Sequence, residues 1–306
     1  MSAIVAKVDR AQKDNTALAV AVATFKKFSE DQSSNLAAMI AFWAFFSIFP
    51  LFLVLVTLLA IFLPTSDKSS VLHHVAQMFP LLDPNSVSSL SGAWWTIVLG
   101  LATALWSGTG VIRTAQYAFS SVWDVPDEER PGLVKQVSRS ILVLGTIGFG
   151  LVLTTLLSGL ISSSASGVNL GVLGRLAGYV LAAALDVGIF IAAFLVLTDR
   201  DVTVHDVLPG ALLSGIAFFV LQELSALIIS RYLKNAQSTY GHFATVITIL
   251  WWFYLQSIIT LLGAQLNVVL KQHYYPRSLT DDSTTDADRR VAQAQAGEHA
   301  APAEKT

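Results

Sequence analysis

The carboxylic acids Asp186 and Glu223 each interrupt a long run of otherwise uncharged residues, which makes them the first candidates for chemistry in this chain. Asp186 lies eleven residues after Arg175 and thirteen before Asp199. At about 1.5 Å per helical residue it is at least ~16 Å from either charged flank, near the midplane of a hydrocarbon core about 30 Å thick. A carboxylate at that depth costs roughly 2.5–3.5 kcal/mol on insertion scales and has to face protein or water. No Lys or Arg lies at comparable depth, so Asp186 is expected to be held protonated by desolvation or to line a hydrated cavity. A neutral carboxyl hydrogen-bonded between helices is the plain structural alternative. Glu223 precedes Arg231 by eight residues and shares a helical stripe with Ala211, Gly215 and Phe219. Two acids on adjacent helices could pass a proton or a cation between them.

A third candidate is a polar stripe. Thr245, Trp252, Gln256, Thr260, Gly263 and Asn267 follow one another at intervals of three, four or seven residues. A stripe facing lipid would be apolar, so this face is expected to point into a helix bundle. Gln256 falls near the midplane and is the expected partner of Asp186. Interhelical hydrogen bonds alone, at ~0.6–2 kcal/mol each, account for the stripe as well as substrate contact does. Arg113 follows Trp94 by nineteen residues, about 28 Å of helix, which brings it to the membrane interface. With Trp106, Gly110 and Tyr117 on the same face, it is read as a snorkelling anchor or as a contact for an anionic lipid headgroup.

Other chemistries are excluded. The chain has no cysteine, which removes disulfides, thiolate nucleophiles and zinc–sulfur sites. His73 and His74 are adjacent and cannot share a helical face as metal ligands do. In the run Asp199 to Asp206, Asp206 is expected to cap the following helix ahead of Pro209 while the other polar residues are solvated, so no metal is expected. No phosphate-binding glycine loop, nucleophile elbow or spaced Ser, His and Asp set is present. The chain is therefore not expected to be an enzyme, to hold a cofactor or to couple ATP hydrolysis. A net charge of −2, with no basic cluster beyond Lys26–Lys27 and Arg289–Arg290, points away from nucleic acid.

The elements that would position these residues are membrane helices. Of 306 residues, 54% are apolar and only 13% charged, about half the charge of a soluble domain. Six spans are expected, over residues 36–63, 94–113, 141–161, 176–197, 207–229 and 243–270, giving an all-α polytopic membrane protein. They are helices because a backbone facing lipid must satisfy its own hydrogen bonds, and barrel-type alternation is missing. With both termini cytoplasmic, and Arg113 set aside, fourteen Lys and Arg residues fall on the inner side and four on the outer, as the positive-inside rule requires. Pro50 removes a backbone donor in mid-span and frees the carbonyl of Phe46, predicting a bend. Gly100, Ala104 and Gly108 form a ladder of small residues suited to close helix approach.

The flanks read differently. Residues 1–35 form a cytoplasmic segment in which Val20, Phe25 and Phe28, set among lysines, predict a helix lying on the membrane surface. Residues 64–93 predict a short amphipathic helix on the outer side. Residues 271–306 form a cytoplasmic tail, polar and alanine-rich, expected to be disordered beyond 277. The single short apolar run near the N-terminus does not read as a cleavable signal.

Five segments in order then resemble a known group. They are Phe42-Trp-Ala-Phe-Phe-Ser-Ile-Phe-Pro50-Leu-Phe, Leu105-Trp-Ser-Gly-Thr-Gly-Val-Ile-Arg113, Leu208-Pro-Gly-Ala-Leu-Leu213, Thr239-Tyr-Gly241 and Leu262-Gly-Ala-Gln-Leu-Asn267. Over about residues 20–275 the chain resembles the YihY/BrkB family of bacterial inner-membrane proteins. The resemblance marks Pro50, Arg113, Pro209, Gly210, Tyr240, Gly241, Gly263 and Asn267 as motif positions. One departure is Gln265, where the family commonly has Glu, so no carboxylate role carries over to that position. Members of the family have been labelled ribonuclease BN, named for serum resistance or linked to export of envelope lipid. The residues here offer no metal cluster or basic surface for a nuclease. The expectation is a bacterial inner-membrane protein that transports or helps to export a lipid or another amphipathic envelope component, with a non-transporting scaffold as the alternative. Its expected partners are membrane lipids and an anionic headgroup, and self-association is left open.

Overall fold

The computed structural model describes Asp9 and residues 11–62, 94–126, 129–130, 132, 138, 171–240, 242–279 and 284–298. Among these residues the protein is all-helical, with no strand. The helices are α1 (Thr16–Glu30), α2 (Ser33–Phe62), α3 (Trp94–Val122), α4 (Gly171–Leu197), α5 (Val204–Tyr240), α6 (His242–Lys271) and α7 (Asp286–Glu298). Three of them contain stretches long and apolar enough to cross a membrane: Leu176–Leu197, Val204–Gln222 and Val246–Lys271. These match the expected fourth, fifth and sixth spans. The expected third span and the outer amphipathic helix lie outside the described residues. In α2, the apolar stretch Ser33–Ile48 is shorter, and the helix continues through Pro50.

Several boundaries differ from expectation. The helix expected to end at Arg113 continues to Val122, because Thr114 to Val122 contains no Gly or Pro to stop it. For the same reason α5 runs on through Arg231 and Lys234 to Tyr240, and α6 begins at His242, so the expected connection between the fifth and sixth spans is helical. Beyond Arg277 the expected disorder gives way to α7. Its start is a capping box: Thr285 N–H and Oγ1 donate to Asp288 Oδ2 at 3.0 and 2.7 Å, while Asp288 N–H donates back to Thr285 Oγ1 at 3.1 Å. That reciprocal pair satisfies orphan donors of the first turn and holds a helix that composition alone would leave unformed.

Two compact units divide the chain. The first comprises Met1–Ala37, Ala115–Ser225 and Gln256–Thr306, and the second Ala38–Thr114 and Ala226–Leu255. In the second unit, Trp43 packs edge-on against Trp106 and Phe46, with centroids 5.9 and 6.3 Å apart. A Cβ at Gly110 would collide with the Trp43 ring, so glycine there sets how closely α2 and α3 approach. In the first unit, α4 and α5 meet through Phe190–Phe218 and Tyr179–Phe219 and through Gly215, where a Cβ would strike the backbone of Val187.

Candidate functional site

Asp186 lies on the packed face of α4, 3% exposed. One position on, Val187 rests against Gly215, so the α4–α5 approach that glycine allows is what closes over the carboxyl. Its hydrogen-bond partner among the described residues is Gln222 of α5, with Nε2 donating to Oδ2 at 3.3 Å. Gln256, the partner expected from depth, is half-buried on α6, and its carbonyl accepts the Thr260 hydroxyl at 2.8 Å. Gln222 sits next to Glu223 in sequence but one helical step around α5, so it was passed over in favour of the charged neighbour. The Glu223 side chain lies outside the described residues.

The polar stripe of α6 resolves into packing at its lower end. Gly210 N–H donates to Asn267 Oδ1 at 2.6 Å, and Ser214 Oγ donates to the Ile259 carbonyl at 3.0 Å. A Cβ at Gly210 would collide with the Gly263 carbonyl and the Asn267 amide, and one at Gly263 would collide with Ser214 Oγ and the Gly210 carbonyl. Three motif positions, Gly210, Gly263 and Asn267, thus form one close helix crossing, next to Pro209 on α5. Asn267 is 1% exposed and acts there as the lock of the crossing. Thr260 bonds its own helix. Of the other expected positions, Arg113 is exposed on α3, Trp106 is exposed beside Trp43, Pro50 and Tyr240 lie within helices, and Gly241 is outside the described residues.

A second polar cluster, not foreseen from the sequence, joins the ends of α1, α3, α4 and α6. Lys27 has no exposed surface, and its ammonium bonds Asp31 Oδ2 at 2.7 Å and Asp124 Oδ1 at 3.1 Å. Asp124 adopts φ 50° just past the end of α3. There the Val125 N–H reaches the Ser120 carbonyl at 2.9 Å and the Asp124 N–H reaches that of Ser121 at 3.1 Å. This is a Schellman ending whose left-handed residue is usually glycine, and aspartate tolerates the position while aiming its carboxylate at Lys27. Burial pushes the Asp124 carboxyl above its ordinary range against the pull of Lys27. Burial, together with the bonded Asp124 carboxylate, pushes Tyr274 up to about 12. Gln265, at the position where a carboxylate was expected from the family, donates Nε2 to Asp31 Oδ2 at 2.7 Å and to Ser33 Oγ at 3.0 Å. An amide suits this place because it donates to the Asp31 carboxylate, which already shares the Lys27 cation with Asp124.

The connection Asp199 to Asp206 is less solvated than expected. Ser120 Oγ donates to Asp199 at 2.8 Å, and Arg200 donates to the Asp124 carbonyl at 2.9 Å. The N-cap of α5 is Thr203, with Asp206 as its capping-box partner at 2.8 Å. Hydrogen bonds from Thr203 and Lys271 pull Asp206 down to about 2. Below this cluster Arg277 grips Glu30 at 2.8 Å and Asp288 at 2.6 Å, and Lys26 reaches Asp288 at 3.0 Å. Burial alone would raise Asp288, but the bonds from Arg277, Thr285 and Ser278 together hold it well below the carboxylate range. No group of His, Cys, Asp and Glu among the described residues could hold a metal ion.

Apolar helices of spanning length, a carboxyl sealed between two of them and glycine-based helix crossings define the class as a helical membrane protein. Residues 24–288 match the family described as Virulence factor BrkB, and the chain belongs to that family. It is 24% identical over 261 residues to the "Putative ribonuclease-like protein YfkH" of Bacillus subtilis, covering 80% of this chain and 93% of that one. It is 27% identical over 191 residues to the "UPF0761 membrane protein Nmul_A0452" of Nitrosospira multiformis and 26% identical over 185 to the "UPF0761 membrane protein PSHAa0171" of Pseudoalteromonas translucida. These two matches cover 60% and 59% of this chain but only 43% and 58% of the relatives. No solved structure matches the chain.

Proposed function

We propose that this BrkB-family membrane protein moves, or helps to move, a lipid or another amphipathic envelope component across the bacterial inner membrane. In this reading six helices span the bilayer, both termini are cytoplasmic, and the protein has no catalytic reaction or cofactor of its own. One observation carries it. Asp186 is buried in an apolar helix and, among the described residues, is bonded by a neutral amide, that of Gln222, an arrangement that costs stability and is kept in membrane proteins mainly for substrate or ion pathways. In the same reading Arg113, exposed on α3, contacts an anionic lipid headgroup.

The scaffold reading is favoured by Asn267 Oδ1 and the Ser214 and Thr260 hydroxyls, each of which bonds helix backbone. The two readings part in one experiment. Purified protein is reconstituted into vesicles carrying headgroup-labelled lipid, and the transbilayer rate is followed by quenching the outer leaflet. Transport predicts a rate several-fold above empty vesicles that falls in Asp186→Leu. A rate equal to empty vesicles for well-folded wild type supports the scaffold. The ribonuclease-like name of the Bacillus relative is tested by incubating the same preparation with RNA, and intact RNA is expected.

A further inference from the structure

Helix α1 carries two apolar faces, and only one is used inside the protein. Ala19, Ala23 and Lys27 recur at four-residue intervals and are 2%, 0% and 0% exposed, so this face is packed. On the other side Leu18, Ala21, Val22 and Phe25 follow the spacing of a second stripe and, with Leu279 from the C-terminal segment, line an open apolar groove. Phe25 is 65% exposed. Lys26, Ser29 and Glu30 complete the lining, and both charged groups are bonded: Lys26 to the Ser278 carbonyl at 2.6 Å and Asp288 at 3.0 Å, and Glu30 to Arg277 at 2.8 Å. The stripe itself is therefore hydrocarbon, and the charged residues that border it at one end are neutralised by their partners.

We infer that this groove is seated in the membrane surface, with Phe25 and Val22 inserted among the acyl chains of the leaflet at which α1 meets α2. The level of α1 is given by its bonds. Asp31, just past its end, is bonded by Gln265, which lies six residues inside Lys271, the last residue of α6 and of its apolar stretch. Six residues are about 9 Å of helix, so Asp31 sits about that far below the end of α6. Phe25 precedes Asp31 by six residues, so it lies no more than about 9 Å further out even if α1 stands upright. At any tilt from upright to flat, Phe25 falls between the level of Gln265 and the level of Lys271, within reach of the boundary between headgroups and acyl chains. The apolar stripe of Leu18, Ala21, Val22 and Phe25 at that level, with Lys26 and Glu30 paired at its border, is complementary to a lipid surface. The inference rests on the spanning of α6, and it is independent of whether the protein transports anything.

The lack of cysteine in the chain makes the test direct. Single variants Phe25→Cys, Val22→Cys and Ala21→Cys are spin-labelled in the full-length protein and reconstituted into phosphatidylcholine–phosphatidylglycerol vesicles, with Lys13→Cys as the aqueous reference and Trp251→Cys, exposed on α6, as the spanning reference. Collision rates with oxygen and with a water-soluble nickel chelate are compared. Oxygen collisions several-fold above nickel at positions 22 and 25, with the order reversed at 13, are expected. Agreement among the three groove positions guards against a local effect of replacing Phe25. Nickel access at 25 equal to that at 13, while 251 stays protected, overturns the inference alone. Nickel access at 251 as well overturns the spanning reading and the inference with it. Low collision with both reagents, with dipolar broadening, means that a second copy covers the groove and also overturns it.

Discussion

Asp186 and Asp124 are carboxylates of the same unit, 3% and 5% exposed, yet their surroundings differ in kind. Asp124 has a cation at 3.1 Å, a bonded phenol from Tyr274, and Asp31, itself bonded by Gln265, sharing that cation. Among the described residues, Asp186 has one neutral amide at 3.3 Å. A buried ion pair of the first kind adds little net stability over an apolar core, but it fails badly when one partner is removed. It behaves as architecture, tying α1, α3 and α6 together. The second arrangement ties two helices that Gly215 and the aromatic contacts also hold, so removing its charge is expected to cost the fold less.

The largest expected effect falls on the cluster. Lys27→Met leaves Asp31 and Asp124 facing each other unneutralised and is expected to cost ~3–5 kcal/mol, visible as a large drop in melting temperature in detergent. A small drop would erase the contrast with Asp186. Next comes the α5–α6 crossing: Gly263→Ala pushes a methyl into Ser214 and the Gly210 carbonyl and is expected to cost ~1–3 kcal/mol. Asn267→Ala in the same assay should lose about 1 kcal/mol. Gln265→Glu adds a carboxylate beside Asp31 and is expected to destabilise at neutral pH and to recover part of the loss on acidification. A neutral or stabilising result would mean that the cluster carries spare positive charge.

The smallest effect is the acid limb of stability. Asp288 and Asp206 are held below their ordinary range, so they contribute stability that is present above about pH 4 and is lost as pH falls through their folded values. Asp124, pushed up by burial, acts with the opposite sign: its contribution is present at low pH and is lost as pH rises through its folded value. Asp288→Asn should flatten the melting profile below about pH 4, while Asp124→Asn, which keeps a side chain suited to φ 50°, should not.

Much of the fold was legible in the sequence because hydrophobic run length is a local property. The fourth to sixth spans, the burial of Asp186 and the inward face of α6 near Gly263 and Asn267 all follow from composition and helical spacing. The paired cluster was not legible, because Lys27 meets Asp124 97 positions away and Asp31 meets Gln265 234 positions away. Its one local trace was the four-residue spacing of Lys27 and Asp31. The C-terminal helix was misread for a different reason: alanine-rich composition outweighed a readable Thr285-x-x-Asp288 start signal. Gln222, a neutral amide exposed on α5, gives no signal that the neighbouring Glu223 does not drown.

The contrast comes down to one pair of readings on one variant. Asp186→Asn, which keeps the shape and removes the acid, is measured for melting temperature and for transbilayer movement of labelled lipid beside wild type. A melting temperature within a few degrees of wild type, with movement reduced at least tenfold, is the predicted result. A large loss of stability, or full movement in the folded variant, would contradict it.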